Sequence, residues 1–426
     1  MIVNRLLTPE EKKISQRNYN CYCAVNGASY MCLGETVMIL FAVRLGCPDT
    51  VVAILGAMLF FGFLLLPLGK WVTARVGAAR SQSDFWVYRN IAALLVAGAA
   101  PMSIYGSKNI ALGMILAGAF LFYGFRAAGV VMSQPLVGEI CSPGEQGSFL
   151  SRSWFYFYTC GLLSLFSISV ILKFSSSAWT LCFIIVAGAL FGFTSAGFLR
   201  GIRETGQIRE SAGKPMLDGL KPVLQNRVVI RQLVAGMVCN LGVILTVPIS
   251  MLAIKRGYLV SDTQALLYFL AQLAASVAGT RLLVPFADRF GGRKMTLAGF
   301  YGFYIIAFFW IVTPDRFYWP LMVIPFLFCP CGTTIAVTSL QQYFLRSVAK
   351  EQQVMASMVI AVGTGVVSGL LGMVCSSTLL KLSAYWSGSA GTLENYRLYF
   401  LLVLILLPVM GIFVHRLDKE SALPKW

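Results

Sequence analysis

The chain has 426 residues, 58% of them hydrophobic and only 12% charged, with a formal net charge of +17. Soluble globular domains carry about 25% charged residues, so a soluble enzyme or binding module is excluded. The surplus of lysine and arginine punctuates the segments between apolar runs, where its natural partner is an anionic membrane surface rather than nucleic acid.

The first predicted element is a polar helix. Thr8-Pro9-Glu10-Glu11 supplies an N-cap, a proline in the first turn and a glutamate that closes a capping box. Nothing before it reads as a cleaved leader with a basic start and a short apolar core. Apolar runs of membrane-spanning length follow near 20–43, 50–68, 86–104, 110–137, 148–172, 179–198, 229–253, 262–284, 294–313, 318–343, 353–380 and 396–415. The longest polar interval, Arg200 through Arg227, divides them six and six. The expectation is an all-α membrane protein of twelve transmembrane helices: an N-terminal six-helix bundle over 1–198, a cytoplasmic linker over 199–227 and a C-terminal six-helix bundle over 228–426. With the N-terminus inside, 25 of the 34 lysines and arginines fall on inner segments, 8 on outer ones, and Arg126 within the membrane. Both termini are therefore expected in the cytoplasm. The absence of any Asn-x-Ser/Thr sequon fits the inner membrane of a bacterial cell.

Two spans carry a charge at mid-depth: Glu35 in the first and Arg126 in the fourth. A charge in hydrocarbon needs a partner, a wet cavity or both. Glu35 is eight residues from the outer end of its span and Arg126 eleven from the inner end of its own. At about 1.5 Å per residue in a core of about 30 Å, they sit roughly 18 and 17 Å from the cytoplasmic side. A pair is expected. Arginine stays charged, so Glu35 is the member that changes state; an anion that took Arg126 would leave Glu35 to bind a proton. The plainer role is a salt bridge that pins two helices.

Other polar residues fall on helical faces. Tyr268, Gln272, Ser276 and Thr280 recur at every fourth position of span 8, and Thr334, Thr338, Gln341 and Gln342 stripe span 10. Trp154 and Tyr158 share a face of span 5. Asn26 and Asn240 read as helix-packing or gate residues, Asn26 lying opposite Glu35 on a straight helix. Cys329-Pro330-Cys331 lacks the histidines and methionine pattern of a metal path, so no metal or cofactor is expected. The eleven cysteines lie mostly in apolar runs and act as small hydrophobes.

The halves repeat faintly. Pro143-Gly-Glu145-Gln146 matches Ala349-Lys-Glu351-Gln352, Asn26 matches Asn240, and Asp49-Thr50 matches Asp262-Thr263, with near-constant offsets. After span 8 comes Asp288-Arg289-Phe290-Gly291-Gly292-Arg293-Lys294, which resembles the G-x-x-x-D-R-x-G-R-R loop of the major facilitator superfamily. Two positions depart from that motif: Val284 stands in place of the leading glycine, and Gly292 in place of the first closing arginine. The matching turn of the first half, Ala74-Arg75-Val76-Gly77-Ala78-Ala79-Arg80, has Ala74 in place of the acid. The resemblance implies a conformational latch built on Asp288, Arg289 and Arg293, complete only in the second half. Arg126 with Gly129 loosely resembles the family's fourth-helix pattern, one position early. That resemblance puts helices 1 and 4 on one cavity and pairs the arginine with an acid of helix 1 in proton-coupled members. The glycine-proline motif of drug–proton antiporters and the Pro-Glu-Ser-Pro-Arg of sugar porters are both absent.

The expected function is secondary transport, proton-coupled, of a small organic anion or zwitterion by alternating access. Glu35 and Arg126 would couple the proton, and Arg126, Gln272, Thr334, Thr338, Gln341, Trp154 and Tyr158 would bind substrate. The expected partners are a small-molecule substrate, protons and the lipid bilayer, with no nucleic acid, and the expected working unit is a monomer. Two readings stay open beside it: an efflux carrier for amphipathic compounds, and a non-transporting receptor or assembly factor on a transporter scaffold. No nucleophile–base pair or histidine lies within the spans, so an enzyme is not expected.

Overall fold

The computed structural model describes residues 2–418 except 4, 49, 50, 52, 53, 56, 57, 59, 60, 143, 176, 261 and 390. Apart from a two-residue parallel ladder, β1 (Ile2–Val3) with β2 (Glu204–Thr205), its regular structure is helical. Ten helical segments among the described residues are long and apolar enough to cross a membrane. The span expected at 262–284 lies in a further helix, Asp262–Phe290. The one expected at 50–68 falls partly outside the described residues.

The chain divides into two compact units. The first comprises residues 1–142, 156–219 and 350–358; the second comprises 143–155, 220–349 and 359–426. The start of the Gln146–Phe174 helix thus belongs to the second unit, and the start of the Lys350–Val362 helix to the first.

In the first unit the opening helix, Pro9–Cys32, begins on the predicted capping box. The Thr8 hydroxyl accepts from the Glu11 amide at 3.3 Å, and the Glu11 carboxylate accepts from the Thr8 amide at 2.9 Å. The first span is not one straight helix. It stops at Leu33, and a second helix, Glu35–Arg44, restarts from Gly34, which leaves Glu35 exposed in a first turn. The helices then close on glycines: a Cβ on Gly27 would collide with the Phe157 carbonyl, and one on Gly69 with that of Ala128.

The third span also differs from expectation. Its helix is Ala78–Ala97, starting eight residues before the hydropathy edge at 86. The polar run Ser81-Gln82-Ser83 that set that edge is fully buried. Ser83 donates to the Ala196 carbonyl at 2.8 Å and Gln82 to the Ser133 hydroxyl at 2.8 Å. Satisfied polar side chains can lie inside a membrane helix, and the helix runs on through them.

The second unit packs around Phe300, Phe303, Trp310 and Phe400, with Trp310 stacked on Phe400 at 5.7 Å and donating to Ser250 at 2.9 Å. Three of its helices carry π-helical turns, at Ala253–Gly257, Cys331–Ala336 and Gly363–Val367. The middle one follows Pro330, whose missing N–H breaks the regular ladder. Gly292, found where the family loop has an arginine, has no room for a side chain: a Cβ would stand 2.5 Å from the Ser339 carbonyl.

The polar interval 199–227 is more than a spacer. It supplies β2 and two short helices, Gln207–Gly213 and Met216–Gln225.

Candidate functional site

The charged interior of the first unit is built on four helices: Pro9–Cys32, Glu35–Arg44, Ala78–Ala97 and Lys108–Val130. Arg126 is half-buried and holds its guanidinium over the Tyr30 ring, 4.9 Å from the centroid. No ion pair to Glu35 forms; among the described residues Arg126 makes no ion pair at all. Tyr123, 4% exposed, is within Coulombic reach of Arg126, Glu35 and Tyr30. Its hydroxyl has no hydrogen-bond partner among the described residues. The break at Gly34 accounts for the missing salt bridge, since it turns Glu35 onto the start of a new helix.

A second cation lies in the same unit, unforeseen. Arg89 sits eleven residues into the Ala78–Ala97 helix, about 17 Å along it at 1.5 Å per residue, and is 1% exposed. It had been counted among the inner-side charges because the span was started at 86. Its guanidinium donates to Asn26 Oδ1 at 3.3 Å, Ser29 Oγ at 3.1 Å and Asn90 Oδ1 at 3.3 Å. The rings of Trp86 and Phe122 lie 4.8 and 5.5 Å away. The acceptors are themselves fixed: Ser29 donates to the Gly188 carbonyl, Asn90 to the Trp86 carbonyl, and Trp86 Nε1 also donates to Asn26. Asn26 is therefore the anchor of a buried cation, not the bystander a straight helix implied. Arg89 and Arg126 are within Coulombic reach of each other and of Tyr22.

The other sequence candidates fall as follows. Trp154 Nε1 donates to Gln341 Oε1 at 3.1 Å in the second unit, whereas Tyr158 belongs to the first and packs edge-on against Phe157 at 5.5 Å. Thr334 lies within the π turn and Thr338 just beyond it, both buried. Thr334 Oγ1 and Gln272 Oε1 lack hydrogen-bond partners among the described residues. In that span-8 stripe Ser276 donates to the Gln272 carbonyl and Thr280 to that of Ser276, both at 3.0 Å on their own helix, whereas Tyr268 donates to the Trp319 carbonyl at 3.2 Å. Asn240 donates to the Thr364 carbonyl and to Ser368, closing on the last π turn.

Asp288 accepts from the Gly147 and Ser148 amides at 2.9 and 2.8 Å, from Gln342 at 3.1 Å and from Arg346 at 3.0 Å. Arg289 is exposed and lies against Phe290, and Arg293 donates to the His415 carbonyl. In the first unit Ala74 leaves the loop without its acid, but a carboxylate arrives from the linker. Glu204, 1% exposed, accepts from the Ala78 and Ala79 amides at 2.8 and 3.1 Å. Arg89, Tyr123 and Glu204 are the residues missed by the sequence reading. The signal for Arg89 lies in the matched glycine loops: the helices after Gly77 and Gly291 start at equivalent places, which puts Arg89 well inside its own.

No family model matches the sequence, and no curated protein does. Solved structures do. The proton:xylose symporter XylE of the major facilitator superfamily is similar over 97% of both chains, with a TM-score of 0.67 at 14% identity. A bacterial homologue of the iron transporter ferroportin, in its outward-facing state, is similar over 94% of this chain and 98% of its own, with a TM-score of 0.71 at 12% identity. The human organic anion transporter MFSD10 is similar over 94% and 100%, with a TM-score of 0.64 at 15% identity. The fold is that of the major facilitator superfamily transporters.

Proposed function

We propose that the chain is a secondary transporter, proton-coupled, that moves a small organic anion or zwitterion across a cell membrane by alternating access. The observation that carries this reading is Arg126, a cation well inside a membrane-length helix, seated on Tyr30 and without an ion pair among the described residues. Such a charge costs about 2.5–3.5 kcal/mol by insertion scales unless something answers it. An anionic group of the substrate answers it here, with the Tyr123 hydroxyl as a donor to the same group.

Glu35 takes the proton. Arriving substrate draws on the field of Arg126 and leaves Glu35 less stabilised as a carboxylate, so that proton and anion move together. Gln272, Thr334, Thr338, Gln341, Trp154 and Tyr158 supply the neutral contacts that fix the rest of the substrate. The loop charges Asp288, Arg289 and Arg293 act as a latch on one conformational state, and both termini lie in the cytoplasm. XylE is a proton symporter and MFSD10 an organic anion transporter; activities of the proposed class thus occur on this fold.

The test is uptake into proteoliposomes under an inward pH gradient, with labelled carboxylates and lipophilic cations as competing panels. Saturable carboxylate uptake that follows the gradient, is lost in Arg126→Gln and no longer follows the gradient in Glu35→Gln, supports the reading. Saturation by lipophilic cations alone would make the protein an amphipath efflux carrier. Absence of flux under any gradient would make it a non-transporting scaffold.

A further inference from the structure

Arg89 is a whole positive charge that makes no ion pair among the described residues. Each group that holds it is neutral: Asn26, Ser29, Asn90, and the faces of Trp86 and Phe122. The cradle is built, not incidental. Ser29 has given its proton to Gly188 and Asn90 its amide hydrogens to Trp86, so each turns a lone pair toward the guanidinium. Gly192 leaves room for Asn90, since a Cβ there would collide with the amide. Removing an uncompensated buried cation in favour of an apolar side chain is often neutral or stabilising, so packing alone does not account for it. Its field reaches Arg126 and Tyr22, and Tyr123 is within Coulombic reach of both Arg126 and the carboxylate of Glu35.

We infer that Arg89 is a specificity-determining residue that tunes the Arg126 site to doubly charged organic anions. This rests on the proposed anion-transport reading and deepens it. The charges decide the matter: two guanidiniums against one carboxylate leave an excess of one when Glu35 is ionised and two when it carries a proton. With Glu35 protonated, as the proposed coupling requires, a dianion neutralises the set and a monoanion leaves one positive charge; with Glu35 ionised a monoanion is enough. Arg89 is too deeply packed to touch the substrate. It acts through its field, which adds to that of Arg126 in proportion to the ligand's charge.

At about 10 Å and an effective dielectric constant of about 20, one unit of field changes affinity by roughly tenfold per unit of ligand charge. Loss of that field should therefore cut the ratio of dianion to monoanion affinity by about tenfold. The experiment measures thermal stabilisation of the purified full-length protein by succinate and methyl phosphate against monomethyl succinate and lactate. It compares wild type with Arg89→Lys, Arg89→Gln and Asn26→Asp. The last variant puts a carboxylate where Asn26 already accepts from Arg89, cancelling the charge without removing the side chain, and keeps the test alive where Arg89→Gln does not fold. The expected result is a dianion preference in wild type, kept in Arg89→Lys and reduced about tenfold in Asn26→Asp and Arg89→Gln. Unliganded Asn26→Asp should at the same time melt higher than wild type, so stability and affinity move in opposite directions. A monoanion preference in wild type, or a ratio unchanged in Asn26→Asp, overturns the role of Arg89 and leaves the anion reading standing. Failure of all four anions to bind wild type overturns both.

Discussion

The two halves of the molecule share a frame and put their charges in different places. Gly77 and Gly291 occupy the same left-handed backbone region, with φ of 89° and 77°, and each starts a membrane helix. Twelve residues on from Gly77 is Arg89, in a polar cradle; twelve on from Gly291 is Phe303, equally buried, against Gly242 and Gly332. Three residues before each glycine the order reverses, with Ala74 in the first unit and Asp288 in the second. The first unit therefore keeps its uncompensated charge at mid-span, whereas the second keeps its most connected acid at a helix junction. A repeated fold fixes where helices start; the side chains at equivalent points decide which half carries a buried cation.

The strongest way to break that comparison is to exchange the two interiors. Phe303→Arg puts a cation among apolar rings with no neutral acceptor and no space, a combination that costs about 3–5 kcal/mol or more. No monodisperse protein should be recovered by size-exclusion chromatography. The reciprocal Arg89→Phe leaves Asn26 with Trp86 and Ser29 with Gly188, so it should cost no more than about 2 kcal/mol. Equal tolerance of both would mean that the cradle around Arg89 is not specific to charge. Next in size is Arg126→Gln, which should lower kcat/KM for carboxylate uptake about 100-fold, the loss of roughly 2.7 kcal/mol from a desolvated charge contact. The same substitution at the exposed Arg316, outside the proposed site and latch, should change uptake less than about twofold.

Much of this frame is legible in the sequence. The capping box at Thr8, the membrane-length runs and the place of Arg126 inside one of them follow from residue type and spacing, and the Asp288 loop from its resemblance to the family motif. What hydropathy hides is a polar helix end that the fold buries. Ser81, Gln82 and Ser83 look like a loop until their acceptors, Ala196 and Ser133, are in place, and so Arg89 looks like a surface cation. The pairing of Glu35 with Arg126 fails for a related reason. Depth along a span assumes a continuous helix, and one glycine at position 34 reorients the acid. Glu204 could not be found from its neighbours in sequence, because the amides it serves are some 125 residues away.

Glu204 gives a test of the first unit's substitute acid. Burial pushes its carboxyl up from 4.5 to about 7; the Ala78 and Ala79 amides oppose this, and Glu139 adds to it. The folded protein thus holds the proton more tightly than the unfolded chain, and folding takes up a proton between those values. Stability should fall as pH rises from about 4.5 to about 7, by at most about 3 kcal/mol from this group, and level off above. Melting temperatures of wild type and Glu204→Gln, taken in detergent across that range, should separate toward the upper end, as wild type loses stability and the neutral variant does not. A difference that stays constant with pH would show that Glu204 does not titrate there.

The smallest effect separates the two loops most cleanly. An acid in the last turn of a helix sits against the negative end of its dipole, an arrangement that costs about 0.3–1 kcal/mol by itself. Asp288 offsets this because two amides at the start of the Gln146–Phe174 helix, Gln342 and Arg346 all donate to it. Asp288→Asn keeps one acceptor and sets an amide against the remaining donors, so it should destabilise by about 1–2 kcal/mol. In the first unit the corresponding need is met from elsewhere, by Glu204 on the Ala78 and Ala79 amides. An acid restored at Ala74 would find the dipole but not the donors, and Ala74→Asp should cost about 0.3–1 kcal/mol rather than stabilise. Denaturation of the two variants side by side gives the signs. A stabilising Ala74→Asp would mean that the first unit presents unmet donors at this loop, and that Glu204 does not take the place of the missing acid.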